Sequence, residues 1–222
     1  MNPSLAPARV GPVTIGPVLI GKAVPFRGEE RSAIAKAPAA GPVTMGPLGF
    51  SGDEQADLVH HGGVDKAVHH YPHDHYDYWR GALDGHPLLA SPGAFGENIT
   101  TTGLIEGDLC IGDRFRLGTA LVEVSQGRQP CWKVDHKFQR KGITADVFAT
   151  ARSGWYYRVI EGGSVAEGDT LERVETGQEG WSVERVFRLL FAKGADKGEL
   201  AELATLPRLS ENWQERARKL AG

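Results

Sequence analysis

Glycine placement constrains this chain more than any other feature. There are 29 glycines in 222 residues, and across residues 10–175 they fall mainly between short runs rich in Val, Ile, Leu and Thr. Runs this brief, separated by turn-forming residues, suit short strands rather than long helices, and so predict a mainly β domain folded as a sandwich or irregular barrel. Asp108 to Val124 is the clearest stretch: Leu109, Ile111, Phe115, Leu117, Leu121 and Val124 form two runs with turn glycines at Gly112 and Gly118. That pattern predicts adjacent strands, with Cys110 inside the first as a packing residue.

A few helices interrupt the strands. Asp74 to Leu83 reads as a short helix after Pro72, and Ile143 to Arg152 sets Ile143, Val147 and Phe148 on one face. Strands resume at Trp155 to Ile160 and at Thr170 to Val174. From Trp181 the texture changes. Ser182 caps a helix carrying Val183, Val186, Phe187 and Leu190 that ends near Gly194; Asp196 with Glu199 resembles a capping box; Ser210 opens a third helix with Trp213, Ala217 and Leu220 on its stripe. The expected organisation is a β domain over residues 1–175 and a small all-α three-helix domain over residues 181–222. Three helices in so few residues are marginal alone, so they should pack on the β domain or on a partner, as a dimerisation or donor-docking surface.

Composition excludes several classes. Net charge is −3, so no basic field announces nucleic acid. No apolar run is long enough to span a membrane, and the stretch over residues 10–20 is broken by Gly11, Pro12, Gly16 and Pro17. Two cysteines are too few for a disulfide framework or a four-Cys zinc site, which makes a reducing, cytoplasmic setting the default.

Three segments can carry chemistry. Cys131 follows Pro130 and lies three positions after Arg128, next to fixed positive charge that favours a thiolate, the form that binds soft metals or attacks. A lone Cys is otherwise a small buried hydrophobe. The second segment holds His60, His61, His69, His70, His73 and His75. Its spacing does not suit a zinc helix, because Pro72 interrupts it. Within it, Gly62-Gly63 and Lys66 offer backbone N–H groups and a point charge to an anion. The third is Gly96-Glu97-Asn98, where a carboxylate and an amide can meet a heterocycle in plane.

In order and spacing, His61-Gly62-Gly63-Val64-Asp65-Lys66-Ala67-Val68-His69-His70-Tyr71-Pro72, then Phe95-Gly96-Glu97-Asn98, Gly112-Asp113 and Arg128-Gln129-Pro130-Cys131, resemble a MOSC domain. The resemblance covers roughly residues 10–175 and is nearest the YiiM-like branch, in which three C-terminal helices follow. Val64 stands where the family commonly has Pro, and His73 where it commonly has Arg. What the resemblance implies is an irregular β-barrel that binds the molybdenum cofactor (Mo-molybdopterin), with Cys131 on the metal. Arg128 and Lys66 would meet the cofactor's phosphate, and Gly62, Gly63, Gly96, Glu97, Asn98 and Ser125 would line its pterin. It also implies a two-electron reduction of N-hydroxylated compounds, such as N-hydroxylated nucleobases, serving detoxification. Glu97, His70 and His61 are its candidate proton donors, and a separate reductase supplies electrons. Partners expected are thus a small N-hydroxylated substrate and that reductase, with no nucleic acid, no membrane, and a homodimer as one expected state. Two alternatives stand beside this: a non-catalytic carrier of the cofactor or of a Cys131 persulfide, and a zinc hydrolase at the histidine cluster.

Overall fold

The computed structural model describes residues 11–56 and 62–222. Its longest strand, Ala120–Gly127, is buried along its whole length, which requires cover on both faces. It turns through Gly118-Thr119 to pair with Arg114–Leu117, and on its other side pairs with Trp155–Glu161. In full the sheet runs Val13–Thr14, Thr170–Glu175, Arg114–Leu117, Ala120–Gly127, Trp155–Glu161, Val68–His70, every pair antiparallel.

The extended stretch at residues 98–101 joins the two edges of this curled sheet. On one side Asn98 N and Ile99 N donate to His69 O at 2.8 and 3.2 Å, and Tyr71 N donates to Ile99 O at 3.1 Å. On the other, Gly16 N donates to Thr100 O at 2.9 Å and Leu19 N to Asn98 O at 2.8 Å. Backbone groups that would template aggregation at an open edge are paired instead. Of the sandwich and irregular barrel that the glycine pattern allowed, the mainly β barrel implied by the family resemblance is the fold observed.

Helices His75–Ala82 and Ile143–Thr150 form where the apolar spacing placed them. Two local expectations are corrected. Cys110 is buried but lies outside the strand, in a turn where Asp113 Oδ2 accepts from its N–H at 2.9 Å; pairing with the neighbouring strand begins at Arg114. The helix after Ser182 stops at Phe191, before Gly194, because Ala192 turns to an extended conformation.

The C-terminal helices are Val183–Phe191, Lys197–Leu203 and Glu211–Ala221. Ser182 Oγ accepts from Arg185 N at 3.2 Å and Asp196 Oδ1 from Glu199 N at 2.8 Å, so the first two caps are those the sequence predicts. Val183, Phe187, Leu190 and Trp213 share one core with Val122 and Val124 of the long strand. The lock is Gly127: a Cβ there would lie 2.8 Å from Trp213 Cη2, so only glycine lets the indole sit on the strand end that leads to Arg128 and Cys131. Among the described residues, no helix is long and apolar enough to cross a membrane.

Candidate functional site

Cys131 is reached by following the long strand past its end. Arg128 N donates to Gly154 O at 3.0 Å, which fixes the chain as it leaves the sheet. After Pro130 the backbone is extended at Cys131 and then enters a helix, Trp132–Lys137, that the sequence pattern did not reveal. Cys131 is therefore the residue that precedes the first helical turn, and it is only partly buried. It borders two cavities.

The first cavity, open to solvent, spans about 650 Å³ and is bounded by Ile34, Lys36, Asp53, Lys66, His69, Gly96, Asn98, Arg128, Cys131, Lys133 and Tyr156, among others. Its charge is cationic. Lys36 is held by Asp53 at 2.5 and 2.6 Å; Lys66, Arg128 and Lys133 add further positive charge to the lining, Lys133 with Glu30 3.6 Å away. Arg128 is buried beside Tyr156, and among the described residues no carboxylate forms an ion pair with its guanidinium. A buried guanidinium without a paired carboxylate among the described residues favours binding of an anion. Gly96 has a φ of +81°, and a Cβ on it would lie 2.7 Å from Ile34 Cγ1, so glycine is required at this point in the wall.

The second cavity is a wider groove of about 1810 Å³ on the other side of Cys131. Gly62, Gly63 and Lys66 line it, and so do Gln126, Trp132, Tyr156 and residues of the last helix.

Five of the expected site residues meet at the first cavity: Lys66, Gly96, Asn98, Arg128 and Cys131. Gly62 and Gly63 face the second. Asn98 acts there as a clamp, because Oδ1 accepts from His69 N at 3.0 Å while Nδ2 donates to Leu19 O at 3.0 Å and to Asp53 Oδ2 at 2.8 Å.

Three expected residues lie behind the walls. Glu97 is fully buried; its carboxylate accepts from the Tyr76 hydroxyl, from Gly93 N at 2.6 Å and from Phe95 N at 3.0 Å, and so holds the turn that presents Gly96. Ser125 Oγ donates to Asp65 O at 2.6 Å, tying the Val64–Lys66 turn to the barrel. His70 is sealed in the barrel between the Tyr157 hydroxyl at 3.2 Å and Thr101 Oγ1 at 2.9 Å, and burial lowers its pKa to about 3. It is neutral at ordinary pH and has no path to either cavity. His61, with His60, lies outside the described residues.

Tyr156, Lys36, Asp53 and Lys133 were not singled out as site residues, and His69 only as a member of the histidine cluster, yet all five line the cavity. His69 and Tyr156 are directly opposite each other in the sheet, with ring centroids 5.1 Å apart. Alternation along each strand was the available signal, since Val68, His70, Trp155 and Tyr157 are buried in the barrel and the intervening residues face the other way. Burial, followed by the Arg128 charge, lowers the His69 pKa and keeps its ring neutral. Burial raises the Tyr156 phenol, with Arg128 opposing. Among the described residues, no three His, Cys, Asp or Glu side chains gather closely enough to hold a metal ion by themselves. A soft ion here would need donors from a bound organic group, with Cys131 Sγ as the one contributed by the chain.

Comparison with known proteins agrees with this architecture. The MOSC domain model matches residues 57–172, and the YiiM-like, 3-alpha helix domain model matches residues 181–220. The chain is 43% identical over 183 residues to the uncharacterized protein YflK of Bacillus subtilis, covering 82% of this chain and 81% of that protein. A Gibberella moniliformis protein named a reductase is 40% identical over 181 residues, covering 81% of this chain but 32% of that longer protein. The crystal structure of YiiM from Geobacillus stearothermophilus superposes with a TM-score of 0.81 at 34% identity, covering 95% of this chain and all of that one. Barrel, appended helices and these relatives together make the chain a member of the MOSC-domain family, in its YiiM-like branch.

Proposed function

We propose that this protein binds the molybdenum cofactor in the cationic cavity and reduces N-hydroxylated compounds in the groove beside it. One observation carries the reading. Arg128 is a buried guanidinium with no carboxylate paired to it among the described residues, set three residues from a partly exposed Cys131 at the junction of the two cavities. The residue types fit such a group: cations for its phosphate, Gly96 for close backbone approach, and one soft sulfur donor. The fungal relative named a reductase supports the reaction class. When bound, the cofactor supplies the two-electron redox centre that no side chain of this protein provides.

The chain's own residues do the rest. Arg128 and Lys66 would bind and orient the phosphate of such a cofactor, and Cys131 Sγ would be the chain's donor to its metal. The Glu97-held turn and the Asn98 clamp fix the wall against which the ring system rests. Tyr156 borders both cavities and keeps its proton on the hydroxyl oxygen, where it donates a hydrogen bond toward the reacting group. In the overall reaction the N–O bond breaks, two electrons and two protons are taken up, and amine and water leave. The electrons come from a separate reductase.

Protein purified from cells that make the cofactor should reduce N-hydroxyadenine to adenine with a chemical electron donor, and Cys131→Ser should lose that turnover. Full activity in Cys131→Ser contradicts the reading. A Cys131 persulfide trapped with no turnover would identify a carrier instead.

A further inference from the structure

The groove on the far side of Cys131 has the opposite electrostatic character from the cofactor cavity. Four carboxylates, Glu30, Asp65, Glu211 and Glu215, border it against the ammonium groups of Lys66 and Lys133. Two of the four are engaged: Glu30 lies 3.6 Å from Lys133 Nζ, and Asp65 is bound by Arg158 at 2.8 Å. Glu211 and Glu215 are not. They stand one turn apart on the last helix of the appended domain, exposed, and neither joins an ion pair with a described residue. The Trp213 ring packed at Gly127 seats that helix against the strand leading to Cys131.

A second, independent feature points to a ligand. Gln126, 1% exposed, lines the same groove; its Nε2 donates to Gly127 O at 3.2 Å, while its Oε1 has no partner. An amide oxygen withdrawn from water and left unpaired is unfavourable, and an N–H from a bound molecule relieves it. The surrounding faces are aromatic, from Trp132, Trp213 and Tyr156.

We infer that the appended helix is a charge filter: Glu211 and Glu215 admit uncharged, N–H-bearing planar substrates to Cys131 and turn away anionic ones, so that a free base is accepted in preference to its nucleotide. This rests on the proposed reductase reading for the word substrate, although the groove's selectivity can be measured without turnover.

The test is equilibrium binding to the full chain, with and without cofactor, followed by quenching of the groove tryptophans. The probes are uncharged N-hydroxyadenine and its ribonucleoside 5′-monophosphate. The wild type should prefer the base. In E211Q/E215Q the preference should shrink about fivefold at low salt, as expected for two exposed charges, with the affinity for the base unchanged. The difference should fade at about 0.5 M salt, where screening is short-ranged. Gln126→Leu should weaken both probes alike, and Glu202→Gln, on another helix, should change neither. An unchanged preference in E211Q/E215Q overturns the filter, and so does the absence of quenching by either probe. If the filter holds but no N-hydroxylated compound is turned over, the reductase reading fails and the filter stands.

Discussion

Acid should loosen this fold through His70, by an amount that can be worked out. In the folded protein the ring is enclosed between Tyr157 and Thr101, and burial lowers its pKa to about 3. In the unfolded chain an ordinary imidazole titrates near 6.5. Above pH 6.5 both states are neutral and His70 places no penalty on folding. As pH falls from 6.5 toward 3, only the unfolded chain takes up the proton, and stability is lost at up to about 1.4 kcal/mol per pH unit. Between pH 7.5 and pH 5.0 the loss from this one ring is about 2 kcal/mol. His69, also held neutral by burial and by Arg128, pushes in the same direction. Guanidinium unfolding of the wild type and of His70→Gln at both pH values isolates the effect, because carboxylate contributions are common to the two proteins. The variant should lose about 2 kcal/mol less than the wild type over this range. Equal losses would mean that His70 is not held neutral, and it would return as a candidate proton donor.

Three further outcomes follow from the geometry. Gly96→Ala places a Cβ 2.7 Å from Ile34 Cγ1 at a φ of +81°, which should lower the melting temperature by about 4–8 °C for a cost of about 2 kcal/mol. Trp213→Ala empties the contact at Gly127 and should cost about 3–5 kcal/mol in urea unfolding. Inorganic pyrophosphate should raise the melting temperature of the wild type, and Arg128→Met should abolish that rise while leaving the ligand-free protein as stable as the wild type or more so, since it removes a buried charge.

The parts of this molecule legible in its sequence are those set by neighbours along the chain. Glycines between short β-branched runs announced the barrel, and Ser182 and Asp196 announced two helix starts that their side chains do cap. Arg128 and Cys131, three apart on the segment that leaves the long strand, could be paired by spacing alone. What spacing could not show is pairing across the fold. His69 opposes Tyr156 only because their strands are adjacent in the sheet, and Lys36 meets Asp53 only once the barrel has closed. Glu97 and Ser125 have side chains able to bind a heterocycle, but nearby backbone N–H and C=O groups already occupy them. Helix Trp132–Lys137 has no apolar stripe long enough to detect. Its Asp135 instead caps the next helix by accepting from Thr144 N at 2.8 Å.

The central claim is that Cys131 and Arg128 together hold a molybdenum-bearing anion. Elemental analysis of protein purified from cofactor-producing cells tests it most directly. The account predicts about one molybdenum per chain in the wild type, and little or none in Arg128→Met and Cys131→Ala variants that remain folded by circular dichroism. A folded wild type without molybdenum, or variants that retain it undiminished, would contradict it.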